Sequence, residues 1–89
     1  MAQSANGVNV AVSVGVAATL LAQARRDRES VSVQNADTGT LYVGFTSSVT
    51  VDNGTKVAAG SAISFDGYQG TVYGIASEAA TDCRVLEVY

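Results

Sequence analysis

Apolar and polar positions alternate along most of this chain. Val8, Val10, Val12, Val14 and Val16 are interleaved with Asn9, Ala11, Ser13 and Gly15. A period of two sends successive side chains to opposite faces of an extended backbone, so this run predicts one long strand with its valines on one face. Residues 1–7 lack the pattern and read as a flexible N-terminal arm. The period breaks between Ala17 and Ala24, where Leu20, Leu21 and Ala24 favour helix, and a short helical turn is expected over residues 17–24. Alternation resumes in Ser30-Val31-Ser32-Val33-Gln34 and stops at the turn residues Asn35-Ala36-Asp37-Thr38-Gly39.

The next strand, expected over residues 40–46, sets Leu41, Val43 and Phe45 against Tyr42 and Gly44. Around Asp52-Asn53-Gly54 the pattern predicts a hairpin with a three-residue loop, pairing Val51 with Thr55 and Val49 with Val57. A two-residue Asn-Gly turn would mix the two faces, which a buried sheet does not tolerate. Further strands are expected over residues 62–65, 71–76 and 83–89, separated by the loop Asp66-Gly67-Tyr68-Gln69-Gly70 and a polar break over residues 77–82. Seven to eight short, mostly antiparallel strands with frequent turns predict an all-β fold, a single small β-sandwich or compact barrel over residues 8–89.

Composition adds a reason to associate. Of 89 residues, 47% are hydrophobic, but most of these are Val and Ala, with two Phe and no Trp. Small side chains each bury little area, so a lone copy has a thin margin that contact with other copies would relieve. Several strands are apolar on both faces: Val85 opposes Leu86 and Val88, and Val72 opposes Tyr73 and Ile75. A sandwich has one inner face, so the surplus predicts a subunit contact and a homo-oligomer. The chain contains no proline, one of the usual guards on exposed strand edges.

Candidate chemistry is sparse. With no His and one Cys, Ser-His and Cys-His catalysis are excluded, and Cys83 can form neither an intrachain disulfide nor a zinc site. The carboxylates sit mostly in turns, where Asp bonds local amides. Neither a calcium loop nor a phosphate-binding glycine loop is present. The expectation is therefore a non-enzyme with no catalytic residue, cofactor or metal. A net charge of −3 argues against nucleic acid as a partner. Neither a secretory leader nor an apolar run approaching the ~20 residues that span a bilayer is visible, so no membrane association is expected. Two features remain as partner-binding candidates. Arg25, Arg26 and Arg28 read either as a solvated loop offset by Asp27 and Glu29 or as a docking point for an acidic protein surface. Tyr68 reads either as half-buried with a wet hydroxyl or as a platform for a sugar.

The order of features from Leu20 to Tyr89 resembles a group of small virion proteins of tailed bacteriophages. The likeness rests on Leu20-Leu21-Ala22 ahead of Arg28, Val31-Ser32-Val33-Gln34-Asn35, Leu41-Tyr42-Val43-Gly44, Val49-Thr50 through Gly54, Ala59-Gly60, Val72-Tyr73-Gly74-Ile75-Ala76 and Arg84-Val85-Leu86-Glu87. It implies a β-sandwich accessory protein of the particle, foremost a capsid decoration (cement) protein, made in the host cytoplasm and located in the virion. Its partners would be the major capsid protein or other virion proteins, bound as an oligomer with a trimer favoured. The alternative it leaves is a tail or connector component or a module that binds host glycan.

Overall fold

A computed structural model of the chain describes residues 6–78 and 81–89. They form eight strands: β1 (Gly7–Val14), β2 (Thr19–Ala22), β3 (Ser30–Asn35), β4 (Leu41–Gly44), β5 (Thr55–Val57), β6 (Ala62–Asp66), β7 (Val72–Ala76) and β8 (Thr81–Val88). One four-stranded sheet runs β1-β8-β3-β6 and the other β2-β7-β4-β5. Every pairing is antiparallel. The chain changes sheet at each connection except β4 to β5, which is the winding of an eight-stranded jelly roll. The all-β sandwich expected from the alternation is the fold observed.

The period of two sorts each strand into a core face and a solvent face. On β8, Thr81, Cys83, Val85 and Glu87 are buried, while Arg84 and Leu86 are exposed. Val31 and Val33 on β3 and Val14 on β1 join them from the same sheet, and Leu21, Leu41, Val43, Val57, Val72 and Ala76 meet them from the other. Asn35 is buried at the edge of this core, where its amide donates to the carbonyls of Gly39 (2.8 Å) and Val57 (3.0 Å). Its Oδ1 accepts from the Asp37 amide (3.0 Å), so one side chain holds the whole turn after β3.

Two expected elements are corrected. Residues 17–24 form no helical turn, because Thr19–Ala22 is extended and pairs with β7. A bulge between Leu20 and Ala22 lets the consecutive residues Leu21 and Ala22 both be buried, which is why the sequence period fails here. The hairpin centred on Asp52-Asn53-Gly54 is also absent. Instead, β5 pairs with β4, with Val43 opposite Thr55 and Leu41 opposite Val57. Val49 is buried over the bare backbones of Gly44 and Gly54; a Cβ on these would lie 2.7 and 3.0 Å from its Cγ2. Thr50 supports the loop, its Oγ1 accepting from the amides of Asp52 and Asn53 (both 3.2 Å) and its carbonyl from Gly54 (2.9 Å).

The first and last of the described residues meet. Asn6 and Tyr89 exchange both backbone hydrogen bonds (2.8 and 2.9 Å), and Gly7 opens β1. Of the expected arm, residues 1–5 lie outside the described residues. The expected break over residues 77–82 gives way earlier than its bounds, since β8 begins at Thr81.

Candidate interaction surface

The three arginines do not share a surface. Arg28, expected to face a partner, is buried inside the protein. Its guanidinium donates to Glu87 Oε1 (2.8 Å) and to the carbonyls of Gln23 (2.9 Å), Tyr68 (3.1 Å) and Gly70 (2.6 Å). A buried charge is costly unless paired and hydrogen-bonded, and this one is paired, with each of its three nitrogens donating at least one hydrogen bond. Arg25 is half-buried, with its guanidinium 4.0 Å from the centre of the Tyr89 ring and 3.7 Å from Glu87. Of the three, only Arg26 is exposed. Tyr68 is half-buried, packed on Phe45 with ring centres 4.6 Å apart, and its hydroxyl donates to the Thr71 carbonyl (2.7 Å). It offers no open shelf.

The carboxylates with described partners serve the structure. Asp37 accepts from the amides of Asp82 (2.9 Å) and Thr38 (2.8 Å), which hold its carboxyl below the usual range. Asp82 forms a forked pair with Arg84 (3.1 and 2.8 Å), which also lowers its carboxyl. Burial pushes the Cys83 thiol up to about 11. Among the described residues no cluster of three or more His, Cys, Asp or Glu is placed to hold a metal ion.

The sheet edges differ sharply. An open edge presents unpaired amides and carbonyls to any passing strand, and proteins guard such edges with charge, proline, bulges or brevity. β5 is three residues long and carries Lys56. β2 has four residues and a bulge, and β6 has five and ends in Asp66. β1 is eight residues long, unbroken in register, and bears neither charge nor proline. The Asn6–Tyr89 bonds fix which of its groups are free. In an antiparallel ladder bonded and non-bonded pairs alternate, so Val8, Val10, Val12 and Val14 bond β8 while Gly7, Asn9, Ala11 and Ser13 point their amides and carbonyls away.

Beside this edge the two sheets part. A groove of about 420 Å³ runs between β1 and β2, lined by Val8, Val10, Val12, Leu20 and Leu21, with Arg25 and Glu87 also on its wall. Val10 stands on the core face of its strand yet is 47% exposed, because among the described residues no strand lies beyond it to close the groove. Leu20 is 38% exposed, and on the outer face of β8 Leu86 is 49% exposed. The valine run announced this strand, but that β1 would be an edge was not visible, since strand order is set by pairings distant in sequence.

No protein-family model matches the chain, and no curated protein matches it in sequence. Among solved structures it is similar to a protein from work describing Bacillus endospore appendages as a novel family of disulfide-linked pili. The match has a TM-score of 0.53 at 18% identity and covers 93% of this chain and 84% of the other. This finding corrects the placement in a phage particle: the shared fold comes from a bacterial spore appendage, not from a capsid decoration, tail, connector or glycan-binding protein. The virion as location goes with it, and the match lends no support to the major capsid protein as partner. At this identity the likeness establishes the jelly-roll sandwich itself.

Proposed function

We propose that this chain is a non-enzymatic structural subunit that acts by associating with copies of itself. The observation that carries the reading is β1, a long, uncharged, regular edge strand beside a groove lined with aliphatic side chains. Left bare, such an edge promotes uncontrolled pairing, and controlled pairing with a like subunit both covers it and closes the groove. The likeness in fold to a pilus protein supports assembly as the use of this surface. The buried positions of Arg28 and Glu87 and the backbone-capping role of Asp37 support a structural purpose for the charged groups. Sedimentation equilibrium across the micromolar range tests the proposal. A mass that rises with concentration above that of one chain is expected; a single-chain mass throughout would refute it.

A further inference from the structure

We propose that β1 pairs antiparallel with β1 of a second copy, about a two-fold axis that passes between their Val10 residues. The inference rests on the self-association just argued and specifies its surface. Parity carries it. The outward backbone groups belong to Gly7, Asn9, Ala11 and Ser13, all odd positions, because the Asn6–Tyr89 bonds commit the even ones to β8. Two copies of this strand run antiparallel can bond every one of these groups in a single register. Gly7 then faces Ser13 of the second copy and Asn9 faces Ala11, each pair exchanging two hydrogen bonds. In that register Val10 meets Val10, and Val8 meets Val12, in the closely spaced non-bonded positions on the core face.

The side chains suit the pairing. Each second-copy valine lies over the mouth of the groove that Val10 and Leu20 leave open, and the same happens in reverse, as an isologous contact requires. No charge lies on β1, so self-pairing sets no like charges opposite each other. On the solvent face only Asn9, Ala11 and Ser13 meet, all small enough for two sheets to join into one of eight strands. The other edge of the same sheet is a poorer mate. The bonds Gly67 to Glu29 and Asn35 to Ser61 leave free groups on Ala62, Ser64 and Asp66 alone, so a β1–β6 contact would be shorter and would include a charge.

Cysteine cross-linking tests the register. Opposed non-bonded residues have Cα atoms about 4.5 Å apart, within the ~4.4–6.8 Å that a disulfide spans. Val10→Cys is therefore expected to form a disulfide-linked dimer on mild oxidation. Asn9→Cys is expected to stay single on a non-reducing gel, because the two copies of residue 9 are offset by two positions, about 7 Å along the strand. Cys83, fully buried, remains as an internal control in both variants, and an unchanged thermal midpoint verifies that each is folded. If the unmodified protein sediments as an oligomer but Val10→Cys forms no dimer, or Asn9→Cys dimerises equally, the β1 pairing is overturned while self-association stands. A protein that sediments as a single chain, with neither variant cross-linking, overturns both.

Discussion

Four acceptors from three parts of the chain converge on Arg28, and they explain why an arginine sits where only 1% of it is exposed. Gln23 belongs to the segment leading into β3, Tyr68 and Gly70 to the loop after β6, and Glu87 to β8. The side chain thus ties one end of the sandwich together. Removing one member of a buried pair strands the other, so Arg28→Ala should cost about 3–5 kcal/mol, read as a drop in the urea midpoint. Arg28→Lys should recover little of this, because a single ammonium cannot reach the four acceptors that the planar guanidinium spans. The sequence shows three neighbouring arginines but not that the carboxylate for one of them lies 59 residues away. One signal was available: Glu87 shares the parity of Cys83 and Val85, which places it on the core face of the last strand. A charge at a core position calls for a buried partner. The half-burial of Tyr68 was legible, as tyrosines near strands are often half-buried, but its hydroxyl, expected to be wet, donates to the Thr71 carbonyl.

At the scale of elements, alternation predicted β1, β3, β4, β6, β7 and β8 to within two residues, because each has one core face and one outer face. It failed where geometry departs from a flat strand. The bulge in β2 buries two consecutive residues, which imitates a helical pattern in a short window. In residues 45–54, Val49 is buried not by a strand partner but by the absence of side chains at Gly44 and Gly54. A single-sequence reading cannot anticipate that slot, since it depends on how the loop folds back over β4. The slot makes a specific prediction. Gly44→Val should cost about 1–3 kcal/mol by overpacking, since even a Cβ would approach Val49 to 2.7 Å. Adding Val49→Ala should return part of that loss, and a double-mutant cycle by thermal denaturation should show the two sites strongly coupled. Additive effects would mean that Val49 does not rest on Gly44.

For the molecule as a whole, the jelly roll accounts for both its small-residue core and its open flank. Closing two four-stranded sheets on each other buries Val, Leu and Ala in one thin layer and leaves four strand edges. Three are short, bulged or charged, and β1 is none of these. Among the described residues the large exposed aliphatic groups are Val10, Val16, Leu20, Val51 and Leu86; Val10, Leu20 and Leu86 lie on β1, β2 and β8, while Val16 and Val51 stand in the connections after β1 and β4. The measurement that bears most directly on the account is the sedimentation mass of Ala11→Pro beside that of the unmodified protein. The Ala11 amide points away from β8, so proline removes no hydrogen bond from a single copy, yet it deletes a donor needed for pairing between copies. The expected result is an oligomer for the unmodified chain and, for Ala11→Pro, a folded monomer whose thermal midpoint is lower and no longer rises with protein concentration. Equal masses for the two at every concentration would contradict it.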